Sequence, residues 1–271
     1  MYGAADFLGG LAARRANTLA VVVVSQLSGL VVLAVVVVLL PHASPTMRDL
    51  AWGAVAGIAI GAGIGLLYRA LAIGRMAVVA PTTAVCAVAI PLIGAIALGE
   101  RPGPRILAGI ALAIVAIVLV SQARERIAHG ERAASAGAGL GLALLAGVGI
   151  GLFFLALAQA ASTAGLWPLL ICRLATVVLV GVSALAVGRS LRMATPIAAI
   201  AMACGVIDAL ANALYLIATY HGPLSVVVTL ASLYPASTVI LALVVLGERL
   251  GALQVTGIGC ALVAMLLMVG R

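Results

Sequence analysis

The chain has 271 residues, 65% of them hydrophobic and 8% charged, with a mean hydropathy of +1.34. An ordinary soluble domain is about a quarter charged, so there are too few polar side chains here to cover a water-facing surface. The net charge of +8 does not mark a nucleic-acid binder either: a basic footprint needs clustering, and these fifteen arginines, with no lysine among them, are scattered between apolar segments.

Breaks at Pro, Gly, Arg and acidic clusters predict ten helical spans: 2–13, 18–40, 50–71, 76–98, 104–121, 138–161, 165–187, 195–218, 223–246 and 251–270. About 20 apolar residues, rising about 1.5 Å each, cross a hydrocarbon core about 30 Å thick. The fold class predicted is therefore all-α and polytopic, with ten transmembrane helices and no room for a soluble catalytic domain. The first span is short, because twelve helical residues reach only about 18 Å; this predicts that the N-terminal half of that helix is missing from the chain. In the third span Gly53, Gly57, Gly61 and Gly65 recur every four residues, a small-residue ridge for close helix packing. Gln122 to Ser135 is the longest polar stretch and reads as a linker. Cys86, Cys172, Cys204 and Cys260 lie inside apolar stretches and read as small buried hydrophobes, not as a metal site or disulfides.

An internal repeat organises the chain. A shift of 148 superposes Leu98-Gly99-Glu100-Arg101 on Leu246-Gly247-Glu248-Arg249, with eleven identities in the 22 positions from 98 to 119. A shift of 147 pairs Leu67-Tyr68 with Leu214-Tyr215. The predicted division is residues 1–121, a linker at 122–137, and residues 138–271. Five spans per repeat is an odd number, so the second copy enters the membrane from the opposite side and the two repeats are inverted.

Two five-span repeats, each carrying LGER before a Gly-spaced last span, and the opening Tyr2-Gly3-Ala4-Ala5-Asp6-Phe7 resemble EamA-type members of the drug/metabolite transporter superfamily. The resemblance implies ten transmembrane helices, a central pathway between the halves and secondary transport of small metabolites, often as export. It also implies a polar residue before the Phe of the opening motif, here Asp6. Both termini are expected inside from the resemblance, and outside from the excess of arginines, ten to four, on the other side.

Ionisable groups inside spans cost about 2.5 to 3.5 kcal/mol on insertion scales, so each is a functional candidate. Three stand out: Asp6, Arg173 and Asp208. Asn212 and Tyr215 follow Asp208 at i+4 and i+7, on one face of the eighth span; that stripe lines a pathway or pairs with another helix. Asp6 is a candidate proton-coupling carboxylate. Arg173 lies near enough to the start of its span to snorkel to the interface, or to meet an anionic group; Gln26 holds the equivalent place in the first repeat. Gln159 and Tyr234 are further pathway candidates. No nucleophile-and-base, metal or nucleotide motif is present, so no enzyme activity and no cofactor is expected. The function expected is secondary transport of small organic metabolites or drug-like solutes, with the proton as candidate coupling ion, in a bacterial inner membrane, by a monomer or homodimer. The alternatives are a lipid or lipid-phosphate translocase and a non-transporting membrane scaffold.

Overall fold

The computed structural model describes residues 1–13, 15–39, 43–73, 76–122, 136–186, 188, 191–231, 233–234 and 252–269. They form ten α-helices: α1 (Tyr2–Ala13), α2 (Thr18–Leu39), α3 (Met47–Ile73), α4 (Met76–Ala97), α5 (Pro104–Gln122), α6 (Ala136–Leu157), α7 (Trp167–Ala186), α8 (Thr195–His221), α9 (Leu224–Ala231) and α10 (Ala252–Val269). Among the described residues there is no strand. Hydrocarbon offers no water to backbone N–H and C=O groups, so apolar runs of this kind must satisfy those groups within a helix. Four helices, α2, α3 as far as Leu67, α7 and α8, are long and apolar enough to cross a membrane. Shorter described apolar stretches run through α4, α5, α6 and α10. Residues 123–135 of the expected linker, the second LGER motif and Pro235 in the ninth span lie outside the described residues.

The chain divides into two compact units. The first joins Met1–Gly65 to Leu152–His221, the second Leu66–Gly151 to Gly222–Arg271, so each draws on both halves of the sequence.

In the first unit α2 packs against α7 and α8, and α1 against α8. Glycines set the closest approaches. A Cβ at Gly53 or Gly57 would strike the backbone carbonyl of Pro168 or Cys172 on α7, and one at Gly205 would strike the carbonyl of Ser25 on α2. Helices lacking a hydrophobic gradient between them associate by such close packing. The ridge predicted from the sequence thus packs on α7 at Gly53, Gly57 and Gly61, while a Cβ at Gly65 would meet nothing within 4 Å. The α3/α7 and α8/α2 contacts are thus of one kind, a glycine against a backbone carbonyl. Val37 near the end of α2 and Trp167 at the start of α7 line the same cavity, so these repeat-equivalent helices run antiparallel. Outward, Leu27, Val31, Val35 and Val38 on α2 and Leu174, Val178, Val182 and Leu185 on α7 form exposed apolar stripes at helical spacing, suited to lipid.

Three hydrogen bonds to Asp49 fix the start of α3. Asp49 Oδ2 accepts from the Thr46 hydroxyl at 2.6 Å and the Thr46 N–H at 2.9 Å, a capping arrangement of the T-x-x-D kind. Its Oδ1 accepts from the Ala161 N–H at 2.8 Å, beyond the end of α6.

In the second unit α5 packs against α10 and α4 against α9. Ala113 and Ala116 share one core cluster with their repeat equivalents Ala261 and Ala264. Gly109, early in α5, faces Ala264 and Met268, late in α10, so this equivalent pair is also antiparallel. The LGER motif has a definite task here. Glu100, just after α4, accepts from the Leu224 N–H at 2.7 Å and the Ser225 N–H at 3.2 Å, capping the start of α9 from a distant part of the chain. Glu100→Ala is expected to lower stability by about 0.5–2 kcal/mol, the usual range for a lost cap. Glu100→Gln, which keeps one acceptor oxygen, is expected to lose less; thermal unfolding in a fixed detergent measures both.

Candidate functional site

The polar residues of the first unit meet around α8. Asp208, Asn212 and Tyr215 follow one another at i, i+4 and i+7, as one helix face requires, and each has a partner on another helix. Asn212, 4% exposed, accepts from the Tyr2 hydroxyl of α1 at 2.8 Å and donates to the Asp208 carbonyl at 2.9 Å. The Tyr215 hydroxyl donates to the Phe154 carbonyl of α6 at 2.9 Å. Phe154 packs its ring 4.7 Å from that of Tyr215 and 6.0 Å, edge-on, from that of Tyr2.

Arg173 supplies the one cation of this network. The side chain does not snorkel to the interface: it is 3% exposed and turns inward. One guanidinium nitrogen donates to Gln26 on α2 and the other to Asp208 on α8. The physical reason is the ion pair itself, since a buried guanidinium needs a compensating charge and a full set of acceptors. Arg173 thereby ties its own helix, α7, to both neighbours. Gln26 and Arg173 are the positions that the 147-residue shift makes equivalent, and they touch each other. Asp208 keeps 23% of its side chain exposed. Asp6 lies exposed on α1, near enough to Asp208 for the two carboxylates to repel.

The described residues of the chain include no group of three His, Cys, Asp or Glu placed to hold a metal. What the arrangement offers is a buried charge pair with a second carboxylate beside it, hydroxyl and amide groups, and an aromatic wall.

The model of the EamA-like transporter family matches residues 1–122 and 137–270. The chain belongs to the EamA-like transporter family. It is accordingly a multi-pass membrane transporter of the drug/metabolite transporter superfamily. A crystal structure matches with a TM-score of 0.78 over 99% of this chain and 94% of the other, at 15% identity, which shows the fold alone. No curated protein matches the sequence at a significant level.

Two expected site residues of this EamA-family chain remain, Gln159 and Tyr234. Helix α6 ends at Leu157, short of the predicted 161, so Gln159 sits in the turn that follows and donates to the Leu155 carbonyl at 3.3 Å. Beyond that turn the Ala161 N–H is held by Asp49. Tyr234 belongs to the second unit, packed against its core cluster. Three participants were not among the expected site residues. Phe154 carried no signal beyond being aromatic, and Tyr2 none beyond its place in the opening motif. Gln26 did carry one, as the repeat equivalent of a charged residue.

Proposed function

We propose that this EamA-family protein is a secondary transporter that exports small organic metabolites or drug-like solutes by alternating access. Its repeats, residues 1–121 and 138–271 joined by a linker at 122–137, form an inverted pair of five helices each in the inner membrane of a bacterium. The antiparallel α2/α7 and α5/α10 pairs support that topology.

One observation carries the mechanism: the ion pair between Arg173 and Asp208, completed by Gln26. Charges inside spans are costly to keep, and this one joins three helices through a single guanidinium. A proton or a solute amino group taking up the Asp208 carboxylate competes with Arg173 for it. Loss of that hold loosens α7 from α8, its neighbour in the same repeat, while Gln26 still binds it to α2 of the other, a local change between two packings that can gate a pathway. Asp6 is the second carboxylate within reach of the same proton or amine, and Asn212, Tyr2 and Tyr215 orient the solute.

In liposomes under an imposed pH gradient, Asp208→Asn keeps an acceptor oxygen for Arg173 and is expected to leave the assembled fold intact. Flux of a solute found by screening a metabolite panel is expected to fall by about tenfold or more, equivalent to about 1.4 kcal/mol. Flux unchanged in that variant removes Asp208 from the mechanism.

A further inference from the structure

A second polar assembly lies in the first unit, where three long helices end together. The cavity there, about 340 Å³, is lined by Val37 of α2, Trp167 of α7, and Ile217, Tyr220 and His221 of α8, together with the Ser162–Gly165 segment. These are the ends of spans that each cross a membrane by length and apolarity, which puts the cavity at the level of lipid headgroups, where Trp and Tyr favour the boundary.

The walls of the cavity are built in advance. The Ser44 N–H donates to the Thr163 carbonyl at 2.9 Å, the Tyr220 hydroxyl donates to the Gly165 carbonyl at 2.9 Å, and the Ala161 N–H is held by Asp49. Gly165 takes φ +55, a left-handed conformation that a side chain would strain, and a Cβ there would come within 3.1 Å of Ala43. A site ordered before its ligand arrives binds without the cost of ordering.

Its chemistry is that of a hydrogen-bond donor. Ser162, Thr163, Trp167 and the exposed His221, all residues able to donate a hydrogen bond, line it, and no carboxylate is among its lining residues. Below it on α8 the exposed side chains Ile217, Leu214 and Leu210 follow at spacings of three and four, one apolar stripe descending from the rim. Donors above and a hydrocarbon track below fit an amphiphile with an anionic head. We propose that this cavity binds the phosphate headgroup of an anionic phospholipid, whose acyl chains lie along that stripe of α8. The proposal is independent of the transport reading and of the Arg173 network.

The chain has two tryptophans, so Trp52→Phe leaves Trp167 as a reporter inside the site. The full chain with that change is reconstituted in phosphatidylcholine vesicles containing either phosphatidylglycerol or phosphatidylcholine with brominated acyl chains, at the same mole fraction. Brominated phosphatidylglycerol is expected to quench Trp167 severalfold more strongly. Adding Ser162→Ala, Thr163→Ala and His221→Ala, all at exposed positions, is expected to abolish the difference while leaving elution and thermal unfolding unchanged. Equal quenching by both lipids, or a preference that survives the triple change, overturns the proposal. Inorganic phosphate in millimolar excess is expected not to relieve the quenching; relief by phosphate alone makes this a site for a free anion and overturns the lipid assignment.

Discussion

Asp208→Leu is expected to destabilise the protein in detergent by about 3–5 kcal/mol, the usual cost of removing one partner of a buried ion pair. The upper part of that range is expected, because the charge left behind is Arg173, whose side chain is 4% exposed and retains only Gln26 as its side-chain acceptor. Arg173→Leu leaves Asp208, which is 23% exposed, and is expected to cost less. Arg173→Leu combined with Asp208→Leu is expected to recover most of the loss, since a buried pair replaced by apolar side chains of similar volume is often neutral or stabilising. Thermal unfolding of all three variants, read as a double-mutant cycle, measures the coupling. Losses that simply add indicate that the two charges do not depend on each other. The double variant also separates structure from transport: it is expected to be folded and inactive.

Gly205→Val is expected to prevent α2 and α8 from assembling. The added Cβ would overlap the carbonyl of Ser25 and crowd the hydroxyl of Ser28, which bridges the helices by donating to the Ser25 carbonyl at 2.9 Å and the Met202 carbonyl at 3.0 Å. A collision with a flexible side chain is relieved by a rotamer change, but one with backbone forces the helices apart. The penalty is thus expected to exceed the roughly 1–3 kcal/mol typical of overpacking. Gly57→Val, against the carbonyl of Cys172, is expected to behave alike because there too the obstacle is backbone. Gly65→Val, with nothing within 4 Å of its Cβ, serves as the neutral control. The yield of monodisperse protein after solubilisation distinguishes them; normal yield for Gly205→Val would mean that the helices are not held at this distance.

Both variants touch features that were partly visible in the sequence. Sequence spacing gave the Gly53 to Gly61 ridge a packing partner without saying which, and it placed Asp208, Asn212 and Tyr215 on one face without saying what they faced. Arg173 was expected to reach outward or to meet an anion; its anion turned out to be Asp208, 35 residues further on. The end of α6 was placed at 161 rather than Leu157, because an apolar run says little about where a helix stops.

The sequence by itself determined that the chain is membrane-embedded, where nearly all of its described helices begin and end, that it is duplicated, and which few charged residues lie inside spans. Those properties follow from hydropathy and periodicity, which are local and are enforced residue by residue through the cost of exposing backbone and charge to hydrocarbon. Only the tertiary structure decided that Arg173 joins α2, α7 and α8, that Tyr2 belongs to the polar network, that Glu100 caps α9, and that each compact unit mixes helices from both repeats. In lipid all apolar faces are nearly equivalent partners. The choice among them falls to a few close glycine contacts and hydrogen bonds, whose pairing between helices distant in sequence leaves no periodic trace along the chain.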